Sequence, residues 1–163
     1  MKTKKISLMA LMISLAMIMS FIESQIPAFV AIPGVKMGLA NIVVVFALYK
    51  LGWKEAVIIS LIRVMMVSLL FGTGASFLYS FAGAVLSLSG MVLLKKTGIV
   101  SHVAVSVTGG VLHNVGQIAM ACFILGTNAI VYYLPFLLLS GVIAGVVIGL
   151  VSALIISRVK ISM

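Results

Sequence analysis

Hydrophobic and polar positions divide the chain into six apolar runs separated by short polar stretches, at about residues 6–22, 35–49, 56–71, 75–94, 99–125 and 129–157. None keeps the strict alternation that barrel strands need. As helices, runs of about 17–25 apolar residues match the thickness of the hydrocarbon layer. The pattern therefore predicts an all-α integral membrane protein, a bundle of about six transmembrane helices forming a single domain over residues 1–163. The second and third runs are short for a full crossing, so they are expected to tilt little, to break, or to thin the bilayer locally. The last two are long enough to tilt, and Pro135 is expected to kink the sixth near its outer end.

Composition agrees with that solvent. Of the 163 residues, 64% are hydrophobic and only 8% are charged, whereas a soluble domain carries about 25% charged residues. The first run follows MKTKK, as a signal peptide would, but no A-x-A cleavage site follows it. A retained anchor is the expectation. Cys122 is the single cysteine, so no intrachain disulfide can form.

Charge predicts orientation. With the N-terminus inside and six crossings, Lys2, Lys4, Lys5, Lys50, Lys54, Lys95, Lys96, Arg158 and Lys160 all fall on the cytoplasmic side. Lys36 falls in an outer loop and Arg63 within a span. That asymmetry is the positive-inside pattern. It predicts a multi-pass protein of the cell membrane with both termini cytoplasmic. The net charge of +9 then reports topology and requires no nucleic-acid partner, while the basic ends suit anionic lipid heads.

Polar residues inside the apolar runs are the candidate chemistry. Arg63 sits near the centre of the third run, where an arginine is costly unless it faces protein or water. It either pins helices through backbone carbonyls or binds a ligand. In GGVLHNVGQ (109–117), His113 and Gln117 are one turn apart and share a helix face, and Asn114 is turned by about 100°. Gly109, Gly110 and Gly116 remove side-chain bulk beside them. One reading is interhelical glue. The other, which three polar groups and an arginine at similar depth favour, is a lined pocket.

Between the first two runs, ESQIPAFVAIPGVKMGLAN (23–41) gathers Glu23, Lys36 and Asn41 around Pro27 and Pro33. It reads either as a solvated loop, with Glu23 and Lys36 paired, or as a lid-like segment over the pocket. The expected substrate-binding set is Glu23, Lys36, Asn41, Arg63, Ser80, His113, Asn114 and Gln117. Its cationic members suit a ligand bearing a carboxylate or phosphate. Gly141, Gly145 and Gly149 form a GxxxGxxxG ridge for helix packing. The methionines suit adaptable packing, the tyrosines and Trp53 suit interfacial or packing positions, and His102 reads as incidental.

Catalytic chemistry is not in evidence. The chain has no aspartate and two glutamates, so it cannot build the aspartate clusters that hold magnesium in prenyl-synthase chemistry. It carries no phosphate loop for ATP and no Cys/His array of metal spacing. No cofactor or metal is expected, and the chain is not expected to be an enzyme by itself.

The segments ESQIP (23–27), PGVKMGLANI (33–42), Arg63, LYSFAGA (78–84), GGVLHNVGQ (109–117) and YYLP (132–135) resemble the Gx transporter family. That family is also labelled heptaprenyl diphosphate synthase component I, and it is similar in size and hydropathy to the S components of energy-coupling-factor transporters. The resemblance implies a membrane subunit that binds a small nutrient or cofactor and docks on an energy-coupling transmembrane subunit with ATPases. In place of the AxxxA docking pattern of S components, the first helix carries Ala10 with Ser14 and Ala16 with Ser20. Two other roles stay open. One is a non-catalytic accessory subunit of a heptaprenyl diphosphate synthase, and the other a membrane subunit of a flavin- or quinone-linked redox assembly.

Overall fold

A computed structural model describes residues 2–25 and 38–159. These residues form α1 (Lys2–Gln25), α2 (Asn41–Lys50), α3 (Trp53–Phe71), α4 (Gly74–Thr97), α5 (His102–Leu125) and α6 (Leu134–Arg158). A short 3-10 segment, Ala129–Tyr133, leads into α6. Four stretches are long and apolar enough to cross a membrane: Thr3–Gln25, Gly74–Thr97, His102–Leu125 and Ala129–Arg158. Leu11, Ile18, Leu69, Leu93, Leu139 and Leu154 stand exposed on the outside of the bundle. An apolar surface that extensive requires lipid as its solvent. The chain is an all-α membrane protein.

Local chemistry sets the helix ends. Thr73 accepts the Ser76 N–H, and the Ser76 hydroxyl accepts the Thr73 N–H, a capping box that starts α4. Gly98, at φ +69°, ends α4 in the left-handed region. Ser101 caps α5 through the Ala104 N–H. Pro135 lies in the first turn of α6, where its missing N–H costs nothing. It starts the helix instead of kinking it, which corrects the sequence expectation.

Among the described residues, the second apolar run is helical from Asn41 to Lys50. Ten residues rise about 15 Å, half of the hydrocarbon layer. This length is tolerated because α2 is enclosed by protein: Val43 through Leu48 are all buried, and α2 touches α1, α3 and α6. A helix that is apolar all round belongs in a core. Val44, Val45 and Leu48 pack there with Ala56 and Ile59 of α3 and Ile148 of α6.

Small residues set the spacing of the last three helices. A Cβ on Gly145 would lie 2.5 Å from the Val107 Cα, and one on Gly116 would lie 2.8 Å from the Ala82 carbonyl oxygen. Gly141 faces the backbone of Gly110 in the same way. So α5 is held at backbone contact by α6 on one side and by α4 on the other. In α1 the two small pairs point differently. Ala16 and Ser20 are buried in the bundle, whereas Ala10 and Ser14 are exposed. Of the two pairs, only Ala10 and Ser14 face outward.

The basic end of the bundle is tied together by polar contacts that sequence patterning did not anticipate. Lys5 Nζ meets Glu55 Oε1 at 2.5 Å. Lys95 Nζ donates to the Leu48 carbonyl at 2.5 Å and lies 4.9 Å from the centre of the Tyr49 ring. That places a cation at the carbonyl end of α2, where the helix dipole favours it. His102 stacks on Tyr49 with ring centroids 4.2 Å apart.

Candidate functional site

The polar residues of α1, α3, α4 and α5 turn inward around two adjoining cavities. The larger, of about 490 Å³, is walled by Glu23 of α1, Arg63 of α3, Ser80 of α4, and His113 and Gln117 of α5. The smaller, of about 70 Å³, shares Glu23, Arg63, His113 and Gln117 and adds Asn41 and Asn114. Each residue of the expected set therefore lines one cavity or both, except Lys36, which lies outside the described residues. Periodicity accounts for the α5 members. His113 and Gln117, one turn apart, face the space common to both cavities, and Asn114 faces the smaller one and α6.

Arg63 is the most exacting member. Its Nε is buried and makes no hydrogen bond among the described residues. The only ion pair among those residues is Lys5 with Glu55, so Arg63 is not paired with Glu23, although both line the same cavities. Glu23 is engaged elsewhere: its Oε1 accepts the backbone N–H of Gly38. That bond joins the far end of α1 to the turn that opens α2. Gly38 is at φ +73°, a conformation that other residues adopt only with strain. The start of α2, where the Asn41 and Ile42 N–H groups donate to the Gly38 and Leu39 carbonyls, thus lies inside the bundle at the cavity wall.

Asn114 plays a different part. Its Nδ2 donates to the Leu137 carbonyl of α6 at 2.5 Å, an oxygen that also accepts from Ser140 Oγ at 2.9 Å. The amide nitrogen is committed to joining α5 and α6, so the glue reading holds for this one donor.

Sequence reasoning passed over several hydroxyls in the larger cavity, among them Ser20, Ser68 and Ser76. Ser20 Oγ is buried with no hydrogen-bond partner among the described residues. The available signal was spacing, because Ser20 lies three residues before Glu23 and so on the same helix face. Val64, Val67 and Phe71 give the cavity an apolar side. Its volume lies in the range of roughly 300–1,000 Å³ usual for small-molecule sites, and most of the residues that line it are polar. Among the described residues, no three His, Cys, Asp or Glu side chains gather as metal ligands. The groups present can bind and orient a molecule through one guanidinium, one carboxylate, hydroxyls and amides.

These features define a class: a helical membrane protein with a cavity between its helices that polar side chains line. The chain belongs to the family described as heptaprenyl diphosphate synthase component I, whose model matches residues 12–155. The match runs from α1 into α6 and covers every residue of the site. Comparisons with curated proteins and with solved structures return no match.

Proposed function

We propose that this chain is a membrane-embedded substrate-binding subunit of an uptake system, similar to an energy-coupling-factor S component. Its ligand is a small nutrient or cofactor bearing a carboxylate or phosphate. The observation that carries this reading is Arg63, whose buried Nε has no partner among the described residues, on the wall of a cavity of about 490 Å³. An intramembrane guanidinium is costly, and such residues mark ligand or ion pathways. An arginine kept only to pin helices would spend its donors on backbone carbonyls, and no such bond is present among the described residues. The Gln117 amide, the Ser80 hydroxyl and the His113 ring line the same space and supply directional contacts. An energy-coupling partner would dock on the exposed side of α1, at Ala10 and Ser14, with both termini cytoplasmic.

The family description favours a second reading, a non-catalytic membrane component of a diphosphate synthase. One experiment separates the two. The protein is purified in mild detergent, and bound small molecules and proteins are identified by mass spectrometry for the wild type and Arg63→Gln. The uptake reading expects a small molecule bearing a carboxylate or phosphate with the wild type and none with a folded Arg63→Gln. Recovery of a soluble prenyl-chain synthase, with no small molecule lost from the variant, would establish the accessory reading instead.

A further inference from the structure

We infer that the occupant of the cavity is a zwitterion, with its anionic group on Arg63 and a protonated amine on Glu23. This rests on the binding role proposed for the cavity and specifies its ligand class. Arg63 and Glu23 are the only Lys, Arg, Asp or Glu side chains among the described residues lining either cavity. The two line the same cavities, yet they make no ion pair among the described residues. A direct pair would cancel both charges and leave nothing for a ligand. Instead Glu23 is anchored through Oε1 by the Gly38 N–H. Among the described residues, the cavity wall therefore presents one positive and one negative pole.

Charge matching then selects the ligand. A purely anionic molecule gains from Arg63 but is repelled by Glu23, and a purely cationic one meets the reverse. Both effects are strong where water is scarce. A molecule carrying both charges gains at each end, and its neutral total matches the neutral sum of the two poles. Val64, Val67 and Phe71 form an apolar side for the body of such a molecule. Amino acids and amino-acid-like cofactor precursors have this chemistry.

The test uses two matched trios on the full-length protein in lipid nanodiscs, with binding followed by calorimetry at neutral pH. One trio is L-phenylalanine, 3-phenylpropionate and phenethylamine; the other is 4-aminobutyrate, butyrate and butylamine. In at least one trio the zwitterion should bind tenfold or more tighter than either singly charged relative, about one charge-assisted contact. Glu23→Gln should erase that preference, leaving carboxylate-only binding unchanged or tighter. Arg63→Gln should remove both. Carboxylate-only binding as tight as that of the zwitterion, or a preference that survives Glu23→Gln, would overturn the zwitterion while leaving the anion site standing. Carboxylate binding that survives Arg63→Gln would overturn the anion site itself, and silence from all six compounds would overturn both. If Glu23→Gln loses its folded transition, Glu23→Asp serves in its place, because its retracted carboxylate should weaken zwitterion binding more than carboxylate binding.

Discussion

The backbone N–H of Gly38 donates to the carboxylate of Glu23, fifteen residues earlier in the chain. This bond holds the end of α1 against the first turn of α2 and keeps a carboxylate on the cavity wall. Gly38 can supply it because its φ of +73° is open to glycine. Gly38→Ala should cost about 1–2 kcal/mol from backbone strain, and more because its Cβ would lie 3.3 Å from Ile148 Cδ1. Gly98→Ala is the control, with φ +69° and no atom within 4 Å of the added Cβ. Thermal unfolding of both purified variants checks the comparison. Equal losses would mean that the contacts around Gly38 add nothing.

The glycines between α5 and α6 should be intolerant of any side chain. Gly145→Ala would place its Cβ 2.5 Å from the Val107 Cα, and such overpacking costs about 1–3 kcal/mol. Gly74→Ala, at the start of α4 with nothing within 4 Å, should change stability by less than about 0.5 kcal/mol. Melting temperatures of the pair give the answer, and a harmless Gly145→Ala would refute backbone-contact packing.

Asn114→Leu removes the bond from Nδ2 to the Leu137 carbonyl. The expected loss is about 0.5–2 kcal/mol of stability, the range for interhelical polar contacts in membranes. Arg63→Gln gives up no hydrogen bond seen among the described residues, so its melting temperature should stay closer to wild type. Unfolding both variants side by side reads the difference, and a larger loss for Arg63→Gln would make the arginine a structural pin.

Acid should loosen the basic end. Glu55 stands before the apolar run of α3, and its side-chain hydrogen bond with Lys5 holds its carboxyl below the usual carboxylate range. A lowered folded value adds stability above the unfolded value, about 4.3 for glutamate. That stability is lost as pH falls through the folded value. The wild-type melting temperature should therefore drop below about pH 4, and Lys5→Ala should flatten the drop. Salt should shrink the effect because Lys5 is half exposed. An identical acid profile in both proteins would show that the pair contributes nothing.

Orientation is open to labelling. In a Cys122→Ala background, single cysteines at Thr73 and Asn128, both exposed at the end opposite Lys95 and Arg158, should react with an impermeant reagent added outside intact cells. A cysteine at Lys96 should react only after permeabilisation. Outside labelling at Lys96 would invert the bundle.

Much of this protein could be read directly from its residues. The lack of charge in runs as long as 99–125 and 129–157 left helix in lipid as the only way to satisfy their backbones. Helical period placed His113 and Gln117 on one face, and the GxxxGxxxG spacing marked the ridge of α6. These are local properties, and neighbouring residues along the chain are enough to express them. Other features depended on partners far apart in sequence. Only the folded bundle decided that the second apolar run would yield a ten-residue helix, because its tolerance comes from the surrounding α1, α3 and α6. Only it turned Ala16 inward and Ala10 outward. Only it assigned the Asn114 amide nitrogen to Leu137, Glu55 to Lys5 and Glu23 to Gly38, leaving the Arg63 Nε with no partner among the described residues. Pattern along a chain records which groups must avoid lipid, whereas which of them find each other is settled by how the helices pack.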